Sequence, residues 1–320
     1  MRTAFIEALE QIAARDPRVW LLCGDLGYSV LERFASRFPD RFVNAGVAEQ
    51  NMTGMAAGLA MAGKKVFTYS IANFPVMRCL EQIRNDVAYH NLDVTIVAVG
   101  GGLSYGSLGY SHHGVEDLAA MRVLPNMAVL APADPVEARL ATAALAVRRG
   151  PGYLRLGKAG EPVLHTREPA FASGRAIEVR HGETGPPQVT LLATGAALAV
   201  ALDAAQELAE QGIEATVASM PWIAPFDDDY VRRAARSASV VATIEEHGAG
   251  GLAECVAMAM ATGPNHGEPV ATLLPFRLAR EPVTVAGSQG ELRDWSGLDP
   301  RRIAAAVSGV LSKAVPIRSA

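Results

Sequence analysis

Short, almost wholly apolar segments recur along this chain, and a stretch of helical character separates most of them from the next. Val19–Cys23, Arg41–Asn44, Lys65–Tyr69, Val94–Val99, Ala128–Leu130 and Tyr153–Leu156 form the first series. Segments without polar–apolar alternation suit strands buried on both faces, which is the condition of a parallel sheet covered by helices. The first covering helix is predicted over Ala4–Ala14, where Phe5, Ile6, Leu9, Ile12 and Ala13 share one side. Residues 161–187, rich in Pro, Gly and charge, interrupt the pattern and read as a linker. A second series follows at Val189–Ala193, Ala215–Ser219, Val240–Ile244 and Val270–Leu274. The expected fold class is therefore α/β: two domains, residues 1–160 and 188–320, each a mainly parallel sheet with helices on both faces.

Composition narrows the function classes. A chain of 320 residues is long enough for two domains, and 50% hydrophobic against 19% charged residues fits a core-rich globular protein. A net charge of −4 gives no sign of a basic stripe for nucleic acid. Cys23, Cys79 and Cys255 are widely spaced, match neither a metal motif nor a disulfide framework, and fit a reducing cytoplasm. The first residues lack a signal-peptide layout, and the longest apolar stretch, Val189 to Leu202, is too short to span a bilayer.

The stretch Gly46-Val47-Ala48-Glu49-Gln50-Asn51-Met52 is the most informative for function. It places one carboxylate, Glu49, at the start of a helix running to about Ala62 and built largely of Ala, Gly and Met. A helix N-terminus favours the ionised carboxylate, whereas burial against an apolar ligand favours the neutral form. A group held between those pressures can exchange a proton with a bound heterocycle. Read locally, Glu49 is more simply a first-turn residue that complements the helix dipole.

An ordered series of further landmarks extends the motif. Lys65-Val66-Phe67-Thr68-Tyr69-Ser70 is followed by Phe74, then by a helix over Glu81–Val87. Gly109-Tyr110-Ser111-His112-His113, Leu118 to Met127, Pro132-Ala133-Asp134 and Gly150 to Leu156 complete it. In order and spacing the series resembles the thiamine-diphosphate enzymes of the transketolase family, and within it the separately encoded C-terminal subunits. The resemblance implies a pyrimidine-binding domain followed by a transketolase C-terminal domain, the second contributing little to the chemistry.

The resemblance also implies residue roles. Glu49 would hydrogen-bond the aminopyrimidine ring of thiamine diphosphate, Phe74 would stack on that ring, and Asp25 would stand at the cofactor-side subunit contact. His112 would face the substrate and move its protons. Arg2, Ser29 and Lys158 match positions that bind a sugar phosphate, with Lys158 in place of the usual Arg and so without its bidentate fork. Gly100 stands where a histidine of this set is usual, Leu108 where an aspartate is usual, and His113 where Gln is usual. These departures point away from the common pentose phosphates toward an unusual sugar. Gly100-Gly101-Gly102 does not open a helix, so it fails as a dinucleotide fingerprint and reads as a flexible loop at the active site.

No Gly-Asp-Gly motif for the diphosphate and Mg²⁺ is found in the chain; Gly24-Asp25-Leu26 is not one. The expected partner is an N-terminal transketolase subunit that holds the diphosphate and Mg²⁺, this chain itself supplying no metal ligand, with a heterotetramer as the natural closed assembly. The small-residue helix after Glu49 would allow close subunit approach. Expected activity is transfer of a two-carbon ketol unit from a ketose, phosphorylated in the usual case, to an aldose. Two other readings stay open: the β chain of a 2-oxoacid dehydrogenase decarboxylase, and a non-catalytic scaffold subunit.

Overall fold

The computed structural model describes residues 1–182, 187–262 and 270–314. Its elements run α1 (Arg2–Ala13), β1 (Val19–Cys23), α2 (Glu32–Arg37), β2 (Phe42–Asn44), α3 (Glu49–Met61), β3 (Lys65–Ile71), α4 (Phe74–Met77), α5 (Leu80–Gln82), β4 (Val94–Val99), α6 (Asp117–Arg122), β5 (Ala128–Leu130), α7 (Pro135–Val147) and β6 (Gly152–Leu156). There follow β7 (Ile177–Arg180), β8 (Val189–Ala193), α8 (Ala197–Ala209), β9 (Ala215–Ser219), β10 (Trp222–Ala224), α9 (Asp228–Ser237), β11 (Val240–Ile244), α10 (Leu252–Thr262), β12 (Thr272–Phe276), α11 (Gln289–Trp295) and α12 (Pro300–Ala314).

Two sheets result. The first has the order β10-β5-β6-β4-β3-β1-β2 and the second β12-β11-β8-β9-β7. All neighbours are parallel except β10 against β5 and β7 against β9. Both exceptions are short strands at a sheet edge, and neither is visible in the sequence pattern. Strand β7 lies within the span read as a linker, of which residues 183–186 are outside the described residues.

The apolar strands are buried as their composition requires: β4, β5, β6, β8, β9 and β11 are buried at every position. One core layer, beneath α1 and α7, joins Phe5, Leu9, Phe67, Tyr69 and Leu145. Another is shared by both sheets, from Met52 and Ile96 across to Leu192 and Val241. A third lies under α8 and α12. Burying a side chain the size of Phe67 stabilises by roughly 1.5–3 kcal/mol, so these layers dominate the fold energy.

Helix starts follow local chemistry. Asp134 accepts the Glu137 N–H at 2.8 Å ahead of Pro135 in the first turn of α7. Ser288 and Glu291 form a capping box on α11. The helix read over Glu81–Val87 begins as α5 and continues through Ile83–Ala88 in wider turns, with Tyr89 N–H bonding the Arg84 carbonyl at 3.0 Å. Among the described residues no helix is long and apolar enough to cross a membrane.

Candidate active site

In the first sheet the chain leaves β1 for β2 on one side, then returns to place β3 on the other. Such a reversal opens a crevice beyond the carboxyl ends of the strands, where α/β folds bind ligands. The end of β1 supplies Gly24 and Asp25, and the end of β3 leads to Asn73 and Phe74. Helix α3, which follows β2, delivers Glu49 to the same place. A Cβ built on Gly24 would lie 3.7 Å from both the Glu49 Cγ and the Ser70 Oγ, which sets Glu49 directly over the crevice.

Glu49 is 4% exposed. Arg78 Nη1 donates to its two carboxylate oxygens at 3.1 and 3.2 Å. The same guanidinium sits over the Phe74 ring, 4.3 Å from its centroid. Phe74 in turn meets the His112 ring edge-on at 5.3 Å. Glu49, Arg78, Phe74 and His112 thus form one contact chain. His112 Nδ1 pairs with Ser111 Oγ at 3.0 Å, and Asn73 holds the Ser111 carbonyl at 3.0 Å.

Asp25 sits beside this chain. Its backbone is left-handed, with φ of 56°. The Asn44 side chain donates to its carboxylate at 2.9 Å and accepts from the N–H groups of Asp25 and Gly46 at 3.1 and 3.0 Å. Gly46, at φ 70°, makes the turn that leads into α3. Asp25 therefore braces the Gly46–Glu49 approach.

The sugar-phosphate candidates lie at the start of α1, between β1 and α2, and just past the carboxyl end of β6. Ser29 is exposed at φ 62°, its N–H held by Glu32 at 2.8 Å. Lys158, just past β6, is exposed, and among the described residues no hydrogen bond or ion pair holds its amine. Arg2 is half-buried beside the Tyr69 hydroxyl, whose phenol burial pushes upward against the pull of the Arg2 guanidinium. Burial pushes the Tyr105 phenol upward, against the pull of the neighbouring Arg2 charge. A Cβ on Gly100 would overlap the Tyr105 ring, so an aromatic side chain fills the space a histidine there would need.

His113 is 1% exposed, and burial lowers its basicity from the ordinary value against the opposing pull of the Gly106 backbone. Tyr110 donates to Glu116 at 2.6 Å. Sequence reasoning missed Arg78, which reads as a solvated charge until α4 turns it back over Phe74. It also treated Gly100-Gly101-Gly102 as flexible, whereas Gly100 and Gly101 N–H both bond the Leu156 carbonyl, at 2.8 and 3.0 Å. Among the described residues no group of three or more His, Cys, Asp or Glu is placed to hold a metal ion.

Comparison with known proteins identifies the two domains. The family described as the transketolase pyrimidine binding domain matches residues 1–160, and the transketolase C-terminal domain matches residues 179–303. The chain is 34% identical to an apulose-4-phosphate transketolase subunit of Phocaeicola vulgatus, covering 94% of each. It is 37% identical to a 6-deoxy-6-sulfo-D-fructose transketolase subunit of a Clostridium species, covering 80% of each. A solved structure described as a split gene transketolase, inactive beta4 tetramer, superposes with a TM-score of 0.83 at 36% identity, covering 97% of both chains. The chain thus belongs to the transketolase family, whose cofactor is thiamine diphosphate, and spans its pyrimidine-binding and C-terminal domains.

Proposed function

We propose that this chain is the C-terminal subunit of a split transketolase. It moves a two-carbon ketol unit from a ketose with a distal anionic group to an aldose. One observation carries the reading: at the β1/β3 crevice a buried carboxylate, a planar cation and a phenyl face lie in contact, in the order Glu49, Arg78, Phe74. An aminopyrimidine has a comparable planar shape and N–H donors, so these residues fit the ring end of thiamine diphosphate.

Bound thiamine diphosphate supplies the carbon nucleophile and electron sink that cleavage of a ketose carbon–carbon bond requires. Glu49 would hold the ring end of the cofactor and exchange a proton at its own carboxylate. Phe74 presents a face for stacking once Arg78 turns outward, which its 51% exposed side chain permits. His112, with Nδ1 engaged by Ser111, moves a proton at a substrate hydroxyl or carbonyl oxygen through Nε2. Arg2, Ser29 and Lys158 balance the distal anion, a phosphate or sulfonate by analogy with the substrates named for the relatives.

The diphosphate and Mg²⁺ belong to an N-terminal partner subunit, and the assembly is a heterotetramer. Exposed apolar side chains at the mouth of the site, Tyr28, Val47, Met77, Leu108 and Tyr110, support a covered face. So does the outer side of α3, where a Cβ on Gly54 or Gly58 would meet nothing within 4 Å. Three buried, unpaired cysteines suit the cytoplasm.

The test is calorimetric titration of thiamine diphosphate with Mg²⁺ into this chain, alone and mixed with an N-terminal transketolase half, followed by a panel of ketose donors. Binding in the mixture alone, with ketol transfer, is expected. Tight binding to the chain alone, or 2-oxoacid decarboxylation without ketol transfer, would overturn the reading.

A further inference from the structure

The Gly100-Gly101-Gly102 run begins the segment that carries His112. That segment leaves β4 at Val99 and ends at α6, and its only regular pieces are two short turns, Gly106–Leu108 and Tyr110–His112. Its base is closed by two bonds between Gly102 and Gly114, at 2.7 and 3.1 Å. The space beside each glycine is taken by another residue's side chain. A Cβ would overlap the Tyr105 ring at Gly100, the Arg155 side chain at Gly101, and the Glu246 carboxylate at Gly102.

Glu246 comes from the second domain, at the carboxyl end of β11. It is 3% exposed and reaches across the domain boundary to accept the Leu103 N–H at 2.9 Å. Its own backbone carbonyl accepts from Arg155 Nη2 at 2.9 Å, and the same nitrogen donates to the Gly114 carbonyl. Arg155 also pairs with Asp117, the first residue of α6, at 3.0 Å. The Glu246 carboxylate is secured from behind by Arg293 and by Gln289 Nε2, 2.9 Å from each oxygen. Both ends of the His112 segment are therefore tied to one buried ionic cluster.

We infer that Glu246 is a positioning residue for His112: the second domain inserts this carboxylate into the glycine socket and fixes the base of the 100–116 segment. The inference rests on the proton-transfer role proposed for His112. Packing of the two domains would be served equally by an apolar side chain. A buried carboxylate that bonds a backbone N–H inside the segment is a specific anchor.

The experiment uses the chain assembled with its N-terminal subunit. Glu246→Ala is expected to lower kcat per cofactor-loaded site by about tenfold or more, because small misplacements of reacting groups are costly, while donor KM and cofactor affinity stay within about threefold. Glu246→Gln, which keeps an oxygen for Leu103, is expected to recover most of that loss. Hydrogen exchange of the 100–116 amides is expected to speed up in Glu246→Ala, with β1 and β3 unchanged. An unchanged kcat per loaded site with unchanged exchange would overturn the inference, as would a lower melting temperature alone. Should Glu246→Ala fail to fold, Gly102→Ala displaces the carboxylate from its seat and is read by the same two measurements, with the same outcomes deciding. If the parent complex transfers no ketol unit, the exchange data still test the anchor, and the failure belongs to the proposed activity.

Discussion

Arg78 bonds both carboxylate oxygens of Glu49, yet Arg78 is 51% exposed at its side chain and Glu49 only 5%. The anion is fixed and the cation is free to leave. Any heterocycle that takes the carboxylate must first displace this guanidinium, and hydrogen bonds to charged groups are worth about 1.5–3 kcal/mol before solvent exposure discounts them. Arg78→Ala is therefore expected to tighten thiamine diphosphate binding by a few-fold in the assembled enzyme, measured by calorimetry. Weaker binding would mean that Arg78 itself holds the cofactor.

Glu49→Gln keeps the shape of the side chain but cannot share a proton with a ring nitrogen. Ketol transfer is expected to fall by about 10²–10⁴-fold, the usual worth of a positioned acid–base group. The melting temperature of the chain is expected to change little, since the partner of Glu49 is largely solvated. Retention of full activity would favour the scaffold reading.

Lys158 is exposed past β6, with its amine unpaired among the described residues. Lys158→Ala is expected to raise KM for an anionic ketose about tenfold with kcat nearly constant, the pattern of lost uniform binding. Raising the salt concentration should shrink that difference. A neutral ketose is expected to respond little to the substitution, and steady-state kinetics on the two donors provides the check.

His247 is fully buried beside Asp117 and Arg155, and burial carries its imidazole down to about 4. Below the unfolded value of about 6.5 the unfolded chain binds the proton first, so stability falls as pH drops from about 7 toward 4. The loss amounts to about 3 kcal/mol at most. Glu245 works in the opposite sense: burial lifts its carboxyl to about 7, so its contribution favours the fold at low pH and weakens as pH rises from about 4.3 to 7. Denaturant midpoints against pH for His247→Gln are expected to lack the acid-side decline relative to the parent. Parallel curves would contradict the assignment.

Helix α3 carries Gly54 and Gly58 at exposed positions where an added Cβ would meet nothing within 4 Å among the described residues. Glycine inside a helix costs about 1 kcal/mol relative to alanine. Gly58→Leu is therefore expected to leave the isolated chain as stable or more so, while impairing association with the N-terminal subunit in sedimentation measurements. Unimpaired association would place the subunit contact elsewhere.

The sequence made the main strands legible because each is apolar on both faces; β1, β4, β8, β9 and β11 fall where the runs of Val, Leu, Ile and Ala put them. Strands β7 and β10 were hidden because each is three or four residues at an edge, where pairing rather than composition makes the strand. In the site, Glu49, Phe74 and His112 come into one contact chain from positions 49, 74 and 112. Arg78 and Glu246 could not be found by spacing, since each acts through a neighbour supplied by another element. For Glu246 the three glycines were the trace: a run of missing side chains marks where the side chains of Tyr105, Arg155 and Glu246 have gone.

Strand β10 has a consequence for how the molecule can be divided. Trp222, 2% exposed, pairs with Leu130 and lies 5.9 Å from the Phe171 ring, so the first sheet is completed by residues made about 65 positions after β6 has ended. During synthesis the sheet stays open along β5 until that segment emerges, with bare N–H and C=O groups along its rim. A chain cut between the two halves would keep that open rim permanently, so the two domains are one object for expression and for quality control even where they read as two.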